Sequence, residues 1–111
     1  MSDNNNYFEI RKKEEFEQHL NKGKLVVVDF SASWCGPCKT MAPVFKNFAD
    51  KEFPDVIFLK VDGDENPELT AEYNITAYPT FLLFKNGKKI EGADVIGADQ
   101  NSLKTAIKDN K

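Results

Sequence analysis

Cys35 and Cys38 are the only cysteines of this chain. They stand three positions apart in the run Asp29-Phe30-Ser31-Ala32-Ser33-Trp34-Cys35-Gly36-Pro37-Cys38-Lys39. Two thiols at that spacing can open and close a disulfide within one turn of backbone. Leu25-Val26-Val27-Val28, apolar and β-branched, leads into them, and a segment with helical spacing follows. On the first turn of a helix, residues i and i+3 are neighbours, so the two sulfurs fall within disulfide geometry. The first cysteine then meets unpaired backbone N–H groups and the positive end of the helix dipole, both of which favour an anion. The thiolate is the attacking species in disulfide exchange, which makes Cys35 the candidate nucleophile and Cys38 the candidate resolving thiol. Gly36 permits the close approach, while Pro37 fixes φ and removes a competing donor, so these two residues tune the pair. Lys39 adds a minor positive charge.

Other chemistries fit poorly. A structural zinc site needs four ligands, and two cysteines with the distant His19 do not supply them. His19 is expected on a surface or partly buried face of the first helix. Net charge is −3, from 15 basic and 18 acidic side chains that are interspersed along the chain. No basic stripe invites nucleic acid, and no polybasic tract invites a membrane surface. The apolar runs are a handful of residues long, well short of the ~20 that a membrane helix needs. The first six residues have neither the basic start nor the apolar core of a signal peptide. A cytosolic location is therefore expected, where a disulfide is transient and catalytic rather than a structural staple.

The elements that must position the pair follow from pattern. A length of 111 residues, 41% of them apolar, supports a single packed domain. Tyr7 to Ile10 reads as a short strand, and Lys12 to Asn21 as a helix burying Phe16 and Leu20. Leu25 to Phe30 reads as a strand covered on both faces. Cys38 to Lys51 places Met41, Val44, Phe45 and Phe48 at helical spacing, with Pro43 expected to kink that helix. Val56 to Val61 is a second apolar strand, and Pro67 opens a short helix to Tyr73. Thr80 to Lys85 and Lys88 to Ile96 flank Asn86-Gly87, a pair that accepts the positive φ angles of a type I′ hairpin turn. Asp99 to Asn110 closes the chain as a helix. The resulting order, β-α-β-α-β-α-β-β-α, predicts an α/β fold with a mixed sheet flanked by helices.

Val28-Asp29-Phe30, Trp34-Cys35-Gly36-Pro37-Cys38-Lys39, Tyr78-Pro79-Thr80 and Phe84-Lys85-Asn86-Gly87 resemble thioredoxin, in the same order and at similar separations. The resemblance runs from about Tyr7 to Ile107 and points to the eukaryotic cytosolic type. It implies a thioredoxin domain over residues 7–111, behind a disordered or flexible tail of residues 1–6. Asp29 ends an apolar strand, where burial would raise its pKa; read without the family, an exposed strand-end charge is the alternative. The resemblance assigns it the role of accepting the proton of Cys38. Lys60 aligns with a position that in some thioredoxins holds a lysine close to this aspartate, though on its own it could point outward. Pro79 corresponds to the family's cis-proline, where the residues alone suggest only a strand-edge proline. Trp34, Gly36, Pro37, Tyr78, Pro79, Gly97 and Ala98 are expected to form a small apolar surface that receives protein disulfides.

The implied activity is reduction of protein disulfides, with no bound cofactor and with electrons from NADPH through thioredoxin reductase. Implied partners are that reductase and disulfide-containing proteins such as peroxiredoxins, engaged by a monomer. Tyr78 resembles protein disulfide isomerase domains more than most thioredoxins. An oxidase or isomerase is thus the nearest rival, opposed by Pro37. A binding subunit in which redox chemistry is incidental is the rival of a different class.

Overall fold

A computed structural model describes residues 5–111. In chain order the elements are β1 (Tyr7–Ile10), α1 (Lys13–Leu20), β2 (Val26–Ser31), α2 (Gly36–Asn47), a π-helical turn (Phe48–Glu52), β3 (Ile57–Asp62), α3 (Pro67–Glu72), β4 (Thr80–Lys85), β5 (Lys88–Lys89), β6 (Val95–Ile96) and α4 (Gln100–Asn110). The strands form one sheet in the order β1-β3-β2-β4-β5, with β6 also paired to β4. β1 and β2 lie parallel to β3, and β4 runs antiparallel to β2. That is the mixed α/β sheet expected from strands joined through crossover helices and closed by a hairpin.

β2 is buried along its whole length. Alternate side chains of a strand point to opposite faces. Val26, Val28 and Phe30 join Phe16 and Leu20 of α1 and Leu69 of α3 in one apolar cluster. Val27 joins Met41 and Phe45 of α2, Phe48 of the π turn, and Leu103 and Ile107 of α4 in the other. The same alternation assigns Asp29 to the face of Val27, beneath the helix that starts at the cysteine pair. On β3, Phe58 joins the cluster of Val27, so Lys60 shares that face.

Most boundaries fall within one residue of expectation, and two elements differ by more. The second helix begins at Gly36 rather than Cys38 and passes Pro43. Its regular part ends at Asn47, and the remainder is the π turn. The single strand expected over Lys88 to Ile96 is broken into β5 and β6. Gly92, at φ +81°, turns the intervening residues off the ladder. The Ile90 N–H still donates to the Leu83 carbonyl at 2.8 Å, and Lys89 pairs with Asp94 at 3.0 Å across the excursion. The turn between β4 and β5 is as expected, with Asn86 at φ 55° and Gly87 at φ 80°.

The expected tail needs correction at Asn6, while residues 1–4 lie outside the described part. Asn6 is buried, and its Nδ2 donates to the carbonyls of Ala49, Phe53 and Val56 at 2.9, 3.2 and 2.9 Å. A buried amide held by three carbonyls anchors the entry of β1 rather than extending a loose end.

Candidate redox site

Cys35 occupies the position just before the first turn of α2. Its backbone is extended, and its Sγ accepts the Cys38 N–H at 3.2 Å. An N–H aimed at a sulfur from a helix start favours negative charge there. The two cysteines are joined by a disulfide, with Cα atoms 5.3 Å apart. Both side chains are buried, whereas Gly36 and Pro37 between them are exposed. Ala32 packs with the two cysteines in a small cluster, and Tyr78 closes one side of it.

Behind the pair, a cavity of about 220 Å³ is lined by Asp29, Cys38, Lys39 and Lys60, among others. Asp29 is 3% exposed, and its Oδ1 has no hydrogen-bond partner among the described residues. Burial pushes its carboxyl up to about 7, against a smaller downward pull from the Lys60 charge. The choice that the residues alone left open is decided in favour of a buried carboxyl. The choice for Lys60 is decided too, because this half-buried lysine lines the same cavity.

In front of the pair, the Tyr78–Pro79 peptide bond is cis, and the Tyr78 carbonyl oxygen lies 3.6 Å from Cys35 Sγ. Pro79 itself is buried. Its carbonyl accepts the Gly97 N–H at 2.8 Å, which draws Gly97 and the exposed Ala98 to the rim. Trp34 is 67% exposed, so the core-packing alternative for it is set aside. Its ring meets that of Tyr78 edge-on, with centroids 5.7 Å apart.

Three neighbours escaped the sequence reading. Ile96 is 65% exposed beside the rim, a placement that follows from the break between β5 and β6. Asp64 accepts the Trp34 Nε1–H at 2.8 Å, and Gly63 lies buried beside Tyr78. Asp64 carries no sequence signal, because its partner stands thirty positions away. His19 lies apart from the site, stacked on Phe8 with ring centroids 4.2 Å apart. Burial, and then the neighbouring Lys22 charge, hold it below its ordinary pKa. Among the described residues, no group of His, Cys, Asp or Glu is arranged to hold a metal ion, and no helix is long and apolar enough to cross a membrane.

A dithiol that closes on itself at a helix start can exchange two electrons with another disulfide. The sheet that presents it is that of the thioredoxin-fold oxidoreductases. The thioredoxin family model matches residues 8–109. Thioredoxin of Geodia cydonium is 49% identical over 104 residues, covering 92% of this chain and 96% of that protein. An H-type thioredoxin of Oryza sativa subsp. indica is 48% identical over 99 residues, covering 86% of this chain and 79% of its own length. A chain solved in work on thiol resolution in a yeast mitochondrial 1-Cys peroxiredoxin, via glutathione/thioredoxin systems, superposes with a TM-score of 0.85. It is 38% identical and covers 93% of this chain and 94% of its own. The chain belongs to the thioredoxin family, and its activity is dithiol–disulfide exchange through the Cys35–Cys38 pair.

Proposed function

We propose that this protein reduces disulfides of other proteins in two steps, with a distinct role for each group around the pair. In the first, the Cys35 thiolate attacks a target sulfur. A bond forms between Cys35 and the target while the target's own disulfide breaks and its second sulfur leaves as a thiolate. In the second, Cys38 loses its proton towards Asp29, directly or through water, and attacks Cys35 Sγ. The intramolecular disulfide forms, the mixed disulfide breaks, and the target departs fully reduced. Two electrons have passed from the dithiol to the target.

The observation that supports this assignment best is the cavity shared by Asp29 and Cys38 on the side away from the exposed rim. A carboxyl with a pKa near the working pH transfers protons with little driving-force cost in either direction. Lys60 tunes that carboxyl. Trp34, Tyr78, Pro79, Gly97 and Ala98 receive the substrate, by shape and main-chain pairing beside the sulfur. NADPH recharges the oxidised pair through thioredoxin reductase. Peroxiredoxins are one substrate class, consistent with the subject of the yeast work. The reading includes a monomer acting in the cytoplasm.

The test is reduction of insulin disulfides coupled to NADPH oxidation by a thioredoxin reductase. Cys38→Ser should accumulate a covalent complex with the target, and Cys35→Ser should form none. The reverse pattern would exchange the two roles. Tyr78 favours one second reading, an isomerase-like oxidant, and the potential separates the two. A value near −270 mV belongs to a reductant of the thioredoxin kind, and one near about −180 mV to an isomerase.

A further inference from the structure

Gly63 is buried in the turn between β3 and α3. Its N–H donates to the Ser31 carbonyl at 2.8 Å, which carries the β2–β3 ladder one step further. The next two N–H groups, of Asp64 and Glu65, donate to Asp62 Oδ1 at 2.9 and 3.2 Å. The backbone of this turn is therefore held from both sides. A Cβ placed on Gly63 would coincide with the hydroxyl of Tyr78 and crowd its ring, whereas one on Gly23, Gly36, Gly92 or Gly97 meets nothing within 4 Å. Tyr78 thus lies in a slot that exists because residue 63 has no side chain.

From that slot the Tyr78 ring reaches the Trp34 ring edge-on and packs on the cluster of Ala32, Cys35 and Cys38. Trp34 is tied to the same turn by its bond to Asp64. One short turn therefore holds both aromatic rings that flank the sulfur.

We propose that Gly63 is a specificity-determining positioning residue: by leaving room for Tyr78 it sets the aromatic wall beside Cys35 against which an extended segment of a protein substrate docks. This rests on the substrate-receiving role proposed above for Tyr78. Substrates with an extended chain on both sides of the reacting cysteine depend on the wall, and a small disulfide such as oxidised glutathione depends on it far less.

The overlap involves the far end of a side chain, so Gly63→Ala should push Tyr78 out while leaving the chain folded. The experiment measures single-turnover reduction of insulin and of oxidised glutathione by the pre-reduced protein, for Gly63→Ala, Tyr78→Ala and the double variant. The insulin-to-glutathione rate ratio should fall about fivefold in each single variant. The double variant should fall no further than Tyr78→Ala alone, and the Trp34 emission spectrum of Gly63→Ala should match that of Tyr78→Ala. An unchanged ratio in Tyr78→Ala removes the substrate-receiving role, and this inference with it. A lowered ratio in Tyr78→Ala alone, or losses that multiply in the double variant, overturns only the inference. Unfolding of both Gly63→Ala and the double variant would also overturn it, since the turn itself would then reject a side chain.

Discussion

Asp29 and Lys60 are register partners across the parallel β2–β3 pair, and both line the cavity that reaches Cys38. On its other side Asp29 is paired with Phe81 of β4. One neighbour thus offers charge and the other only apolar surface. Burial outweighs the lysine, and the carboxyl stays protonated well above its ordinary range.

Removing the carboxyl should stabilise the protein in a way that grows with pH. Between the ordinary value of 3.8 and the folded value of about 7, the folded chain holds a proton that the unfolded chain has released. Stability therefore falls as pH rises through that window and levels off above it. The full span corresponds to roughly 4 kcal/mol. In urea titrations at pH 4 and pH 8, the stability difference between Asp29→Asn and the parent should widen by several kcal/mol towards pH 8. The shape change of the substitution is common to both pH values and cancels. A gap that does not move with pH contradicts a buried, protonated Asp29. The same variant should release mixed disulfides about a hundredfold more slowly, the lower end of the usual range for a lost general base.

Lys60→Met should raise the pKa of Asp29 further, because the charge that pulls it down is gone. The step limited by Asp29 ionisation should then need higher pH, so the rising limb of the release rate against pH moves upward. Stopped-flow release of a trapped target between pH 6 and 9 measures it. A limb that stays in place, or moves down, would show that the Lys60 charge does not hold the Asp29 pKa down.

Asn6→Ala should destabilise the fold without touching the exchange chemistry. It strips a buried donor from three carbonyls that join the π turn and the start of β3 to the entry of β1. A loss of this kind costs about 2 kcal/mol, which lowers Tm by roughly 8 °C in a chain of this size. Thermal unfolding followed by circular dichroism reports it, and a shift below about 2 °C would mean that solvent replaces the amide at little cost.

Local chemistry was legible in the residues. The spacing of Cys35 and Cys38, the strand before them and the helix after them follow from periods of two and 3.6 and from the reach of a single turn. Asn86-Gly87 announced its hairpin for the same reason, since positive φ is a property of the residues that adopt it. The break at Gly92 was missed because Asn86-Gly87 announces a returning strand without fixing its length, and pairing depends on what β4 offers opposite. Asn6 was missed because an asparagine run reads as solvent-exposed until its carbonyl partners, more than forty positions away, are in place.

Composition and spacing by themselves determined a redox dithiol at a helix start on an α/β sheet, because those features depend on neighbours along the chain. Tertiary structure alone decided that Asp29 is buried beside Lys60 behind Cys38, that Asp64 and Gly63 hold Trp34 and Tyr78 beside Cys35, and that Ile96 joins the rim. Each of these depends on which strands become partners and which faces they share, and burial and electrostatic strength exist only once those distances are set.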